Sequence, residues 1–89
     1  MEESQVTSLL AETDAPGEAP RTVLDVRDLP PPEPLAKTLE RLAELSTGAV
    51  LVQVNDRAPQ HLYPKLADRG YAVETVETDA VVLTAIWEV

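Results

Sequence analysis

The chain has 89 residues, enough for one small domain and one thin core, with 44% apolar residues to fill it. Sixteen acidic residues against seven basic ones leave a formal charge of -9, which argues against a nucleic-acid backbone or an anionic membrane as partner, since both need clustered Lys and Arg. The absence of Cys excludes disulfides, thiolate metal sites and cysteine nucleophiles, and a single His excludes a histidine-rich metal cage.

The first 21 residues read as an acidic tail. Glu2, Glu3, Glu12, Asp14 and Glu18 face only Arg21, and the stretch APGEAP follows. Such a composition predicts a mobile segment, although Val6, Leu9 and Leu10 have the spacing of one docking helical turn. Met1-Glu2-Glu3 lacks the basic start of a secretory signal, and no run is apolar enough to span a membrane, so a cytoplasmic location is expected.

Residues 22–89 read as the domain. Thr22 to Arg27 is a short β-branched run and the first strand. Asp28 to Pro34 is a connection stiffened by four prolines. A helix is predicted from Glu33 to Leu45, with Leu35, Leu39, Leu42 and Leu45 on one stripe and Lys37, Glu40, Arg41 and Glu44 opposite. Gly48 then suits a left-handed cap. Ala49 to Val54 is almost wholly apolar, as expected of a central strand parallel to the first and reached by a right-handed crossover.

After the loop Asn55–Pro59, a second helix is predicted over Gln60 to Arg69, with Gly70 beyond it. Tyr71 to Val76 and Ala80 to Glu88 are the third and fourth strands, joined by a turn at Glu77-Thr78-Asp79. The order βαβαββ predicts an α+β two-layer sandwich, with two helices on one face of a four-stranded mixed sheet.

Leu24 to Leu35 reads LDVRDLPPPEPL. This string resembles the start of TusA (SirA-like) sulfur-carrier domains, which place a Cys-Pro-x-Pro motif after the first strand. In that resemblance the carrier Cys falls on Pro31, while Pro32 and Pro34 keep the two prolines. Pro31 has no nucleophile, so persulfide transfer is excluded on chemical grounds. The chain is more similar still to an uncharacterised Cys-less relative of that family, with a second pattern like HDxxPxxLYPxLxxRG. Here that stretch runs from Asn55-Asp56 through Tyr63-Pro64 to Arg69-Gly70, with Asn55 where the pattern has His. The resemblance implies no agreed activity, and only a loose link to sulfur or nitrogen redox metabolism.

Two loops follow the carboxyl ends of two parallel strands, where open α/β sheets place ligands. They carry Arg27, Asp28 and Glu33 on one side and Asn55, Asp56, Arg57 and His61 on the other. This is a candidate ligand or partner site, which could hold an anion through the two arginines and a helix N-terminus. In the plainer alternative, Asp28 and Asp56 cap helices and each Arg pairs with a nearby carboxylate. No nucleophile triad, acid/base pair, metal-ligand spacing or phosphate loop is apparent, so no catalytic residue, cofactor or metal is expected.

Strand alternation, with Gln53, Thr84 and Glu88 taken as solvent-facing, leaves Leu51, Val82 and Ile86 on an open sheet face. That face is a candidate interaction surface. The reading that follows is a non-enzymatic interaction or regulatory module that docks an unidentified protein partner, with a weak homodimer left open. The alternative is a small-ligand or anion-binding accessory protein.

Only Lys37 and Lys65 are lysines. A lysine-poor, carboxylate-rich surface suits concentrated salt, which screens its self-repulsion and points to a halophilic source. Melting followed in NaCl or KCl is expected to rise between low and molar salt; a flat or falling melting temperature would contradict a salt-adapted surface.

Overall fold

In the computed structural model, which describes residues 2–89, the domain is an α+β fold built on the order βαβαββ. An eight-residue helix, α1 (Glu3–Leu10), precedes β1 (Arg21–Asp25), α2 (Glu33–Glu44), β2 (Val50–Asn55), α3 (Tyr63–Asp68), β3 (Tyr71–Glu77) and β4 (Val82–Glu88). The four strands form one mixed sheet in the order β1-β2-β4-β3. β1 runs parallel to β2, and β4 is antiparallel to both β2 and β3. The central strands β2 and β4 carry most of the core, and β1 and β3 form the edges.

Local chemistry explains where the elements stop. Gly48 and Gly70 both have positive φ (86° and 80°), the left-handed conformation that lets the chain turn from each helix into the next strand. α3 begins at Tyr63, three residues later than its apolar pattern implies, because Gln60 and Leu62 hydrogen-bond to Ala58 and Pro59 in a turn. α2 follows a proline run whose Pro31–Pro32 peptide is cis.

The two faces of the sheet are the reverse of what alternation predicts. Leu51 and Ile86 are fully buried and pack with Leu42 of α2 and with Leu62 and Leu66 at α3. Val82 is buried as well. These three residues therefore form no open interaction face; they lie on the side covered by α2 and α3. Val50, Val52, Leu83 and Ala85 point the other way.

The reversal has a specific physical cause. Gln53 and Thr84 looked solvent-facing because they are polar, yet both are fully buried against the helices. Gln53 Nε2 donates to Thr38 Oγ1 of α2 at 2.8 Å, and Gln53 Oε1 accepts from Asn55 Nδ2 at 3.2 Å. Thr38 Oγ1 in turn donates to the Pro34 carbonyl at 2.7 Å. Thr84 belongs to a second cluster, in which Thr75 Oγ1 lies 2.6 Å from the Tyr63 hydroxyl and 3.1 Å from Thr84 Oγ1. No buried side-chain polar atom among the described residues lacks a partner. Polarity therefore does not mark exposure in this sheet.

The N-terminal segment is also more ordered than its composition predicts. α1 lies across the second face, where Val6 is buried against Val50, Val52, Leu83 and Ala85. Leu9, Leu10, Ala15 and Ala19 pack around it, together with Trp87. The mobile tail expected over 1–21 is thus a cover over the domain, although Met1 lies outside the described residues. The reason is burial: the second face is apolar, and covering it offsets the entropy of ordering the segment.

The buried amide makes a measurable demand. Gln53→Leu leaves the Asn55 Nδ2 group without its acceptor, and is expected to cost about 1–3 kcal/mol in denaturant unfolding. A neutral or stabilising result would show that the Gln53 amide, through its bond to Thr38, does not hold α2 to β2.

Candidate functional site

The carboxyl ends of β1 and β2 do lie side by side, because the strands are parallel neighbours with Asp25 opposite Val54. The Val26 N–H donates to the Val54 carbonyl at 2.9 Å, which carries the pairing into the loop. The two loops nevertheless send their polar groups in different directions.

Arg27 turns back along its own strand. Its Nη2 donates to Asp25 Oδ2 at 2.6 Å and its Nε to Asp25 Oδ1 at 3.0 Å, while its backbone N–H reaches Asp25 Oδ1 at 3.1 Å. This forked pairing holds the Asp25 carboxyl below its ordinary value and raises Arg27, chiefly through the side-chain hydrogen bond. Arg27 also borders an open groove of about 410 Å³ on the α1 side, with Gln5, Ser8, Leu9, Thr78 and Val81.

Asn55 goes the opposite way. It is buried on the α2 side, donates to Gln53 and accepts the Asp56 N–H at 2.8 Å. Its role is to close the end of β2. Arg57 is exposed and, among the described residues, pairs with its neighbour, with Nε 3.4 Å from Asp56 Oδ1. Asp28, Glu33 and His61 are exposed. The seven predicted residues are thus gathered at one end of the sheet but not focused on one point, and both arginines are paired with carboxylates close in the chain, Arg27 with Asp25 at the end of β1 and Arg57 with Asp56 of its own loop.

The capping roles anticipated for Asp28 and Asp56 are not used. The residue before α2 is Pro32 and the residue before α3 is Leu62, and neither helix has a side-chain cap. The start of α2 is also poor in donors. Glu33 N–H donates to the Pro30 carbonyl at 2.9 Å, Pro34 has no N–H, and Ala36 N–H donates to the Pro32 carbonyl at 3.2 Å. Glu33 itself adds a negative charge to the first turn. An anion would meet few free donors and a carboxylate there. Among the described residues, no group of His, Asp and Glu is placed to hold a metal ion.

What stands out at this end is the connection itself. Pro30, Pro31 and Pro32 are exposed, while Leu29 and Pro34 on either side are partly buried. Leu29 N–H donates to the Val26 carbonyl at 3.1 Å, and Glu33 closes on Pro30, so the exposed prolines sit on a loop tied at both ends. The proline run was legible in the sequence. Its anchoring was not, because it depends on the backbone pairing of β1 with β2.

A family model described as an uncharacterized conserved protein (DUF2249) matches residues 23–87. Neither the curated proteins nor the solved structures contain a match to this chain. No helix among the described residues is long and apolar enough to cross a membrane.

The Arg27–Asp25 pair is open to titration. A depressed carboxyl contributes stability that is complete above the ordinary carboxylate range and is lost as pH falls through its lowered value. Both partners are substantially exposed, so the contribution is small. Arg27→Ala is expected to return the Asp25 carboxyl toward its ordinary value, followed by NMR, with little change in melting at neutral pH. A large loss of stability would instead mean that the fork holds the end of β1 in place.

Proposed function

This chain belongs to DUF2249, a family of uncharacterized conserved proteins, and we propose that it serves as a non-enzymatic interaction or regulatory module. The observation that carries this reading is the proline connection: three exposed prolines on a loop already held in one shape. A surface that loses little conformational freedom on binding is well suited to docking. It also offers apolar rings and few hydrogen-bond donors, which suits a protein surface better than a small polar ligand. Asp28, Glu33 and Asp56 are exposed on the flanking loops. The matching partner is a protein with an apolar patch rimmed by Lys or Arg.

The alternative, an anion-binding accessory protein of sulfur or nitrogen redox metabolism, has less support. Its two arginines are paired with carboxylates, and most of the donors at the start of α2 are absent or engaged. A relationship to sulfur-carrier domains draws support from the string Leu24 to Leu35 and from the βαβαββ order. The missing Cys removes the carrier chemistry itself. The setting we propose is a salt-rich cytoplasm, supported by two lysines against sixteen carboxylates.

Affinity capture in high salt, with bound proteins and small molecules both identified, tests the reading. Wild-type chain is expected to retain a stoichiometric protein partner that Pro31→Arg loses, while the two melt alike. Retention of a stoichiometric small molecule with no protein partner would favour the alternative. Equal capture by Pro31→Arg would remove the proline loop from the interface.

A further inference from the structure

The second face of the sheet carries an inference separate from the proline loop. It is a continuous apolar surface of Val50, Val52, Leu83 and Ala85, with Trp87 beside it. Its cover is a short helix held by little. Val6 is the only buried residue of α1, and Leu9 and Leu10 are partly exposed. The polar ties lie at the rim. Arg21 Nη2 donates to Thr7 Oγ1 at 2.6 Å and lies 3.5 Å from Glu3 Oε1, and the Asp14 N–H donates to the Glu74 carboxylate. An eight-residue helix has too few turns to be stable in isolation, so its order depends on this docking.

Charge works against the cover. Residues 2–20 carry five carboxylates and no base, and residues 21–89 carry the other eleven with all seven bases. A segment of charge -5 therefore lies on a body of charge -4, with the pair of half-buried Arg21 and exposed Glu3 as its one ion pair to that body among the described residues. Two packed parts of like net charge repel, most strongly at low salt. The cover also lies outside the residues matched by the family model, which begin at Val23.

We propose that residues 2–20 are a displaceable intramolecular cover, and that the face beneath docks a cationic amphipathic helix of a partner protein. α1 shows the shape that fits: small and branched apolar side chains at i, i+3 and i+4, as in Val6, Leu9 and Leu10. A partner helix with that stripe and a lysine- or arginine-rich opposite face makes the same apolar contacts. It also replaces repulsion with attraction.

Trp87 is the only tryptophan and sits in this cluster, so its fluorescence reports on the face. The probe is a synthetic helix of leucine at i, i+3, i+4 spacing and lysine elsewhere, with a twin carrying glutamate for lysine. The proteins are the full chain and the charge-neutral variants Val6→Ser and Leu10→Ser. The lysine peptide is expected to shift Trp87 emission and to bind both variants more tightly than wild type. At Val6→Ser the gain is about tenfold, the factor by which a cover closed about nine-tenths of the time lowers apparent affinity. The glutamate twin is expected not to bind.

Equal affinity for wild type and both variants would overturn the proposal, as would binding that leaves Trp87 emission unchanged or equal binding of the two peptides. Should Val6→Ser fail to fold, Leu10→Ser decides alone: a folded Leu10→Ser with wild-type peptide affinity would make α1 a fixed part of the core.

Discussion

The buried amide of Gln53 is the constraint from which the arrangement of this domain follows. A primary amide taken from water must find partners or cost several kcal/mol, on the order of the whole stability of a small domain. Here Thr38 accepts from it and Asn55 donates to it. Thr38 belongs to α2, so the bond ties that helix to the central strand β2 at one height and in one register. Register then carries the constraint sideways, since Leu24, Gln53, Thr84 and Thr75 are paired in sequence across all four strands. At the far end of this row, Thr75 meets Tyr63 of α3. A partly polar seam thus runs beneath both helices, and its hydrogen bonds specify a geometry that the surrounding leucines and valines alone would specify loosely.

The same bookkeeping of donors separates the two functional readings at the end of the sheet. An anion site needs free N–H groups and unpaired cations. The proline run removes or occupies most of the former, and Asp25 and Asp56 engage the latter. What remains exposed is a proline-rich loop tied at both ends by backbone hydrogen bonds and lying between carboxylates. That combination suits recognition by shape and charge better than recognition by hydrogen bonding, and the proposed protein partner rests on it.

Covering the second face is a different kind of problem. The face must be shielded from water, and the chain does so with a segment of its own charge sign. Burial of Val6 and its neighbours favours closure, while Coulomb repulsion favours release. The balance between them depends on ionic strength, since salt screens the repulsion without weakening apolar burial. A salt-rich setting and a secure cover therefore go together, and dilution or a cationic competitor pushes the other way.

The sequence by itself determined the order of the elements from β1 to β4, the parallel pairing of β1 with β2, the helix over Glu33–Glu44 and the turns at Gly48 and Gly70. Each of these is written in local spacing and backbone preference. It also determined that no thiol chemistry exists here, since that requires only the absence of Cys. The candidate loops were legible as neighbours, but not the directions taken by Arg27 and Asn55, which follow from Asp25 and Gln53.

Tertiary structure alone decided which sheet face meets α2 and α3. Both faces are rich in Val, Leu and Ile, so hydrophobic alternation barely distinguishes them. The visible tie-breakers, Gln53 and Thr84, mislead because their partners come from elements distant in the chain. Tertiary structure likewise decided that residues 2–20 are a cover, since an acidic segment is held here by an apolar surface formed by strands distant in the chain.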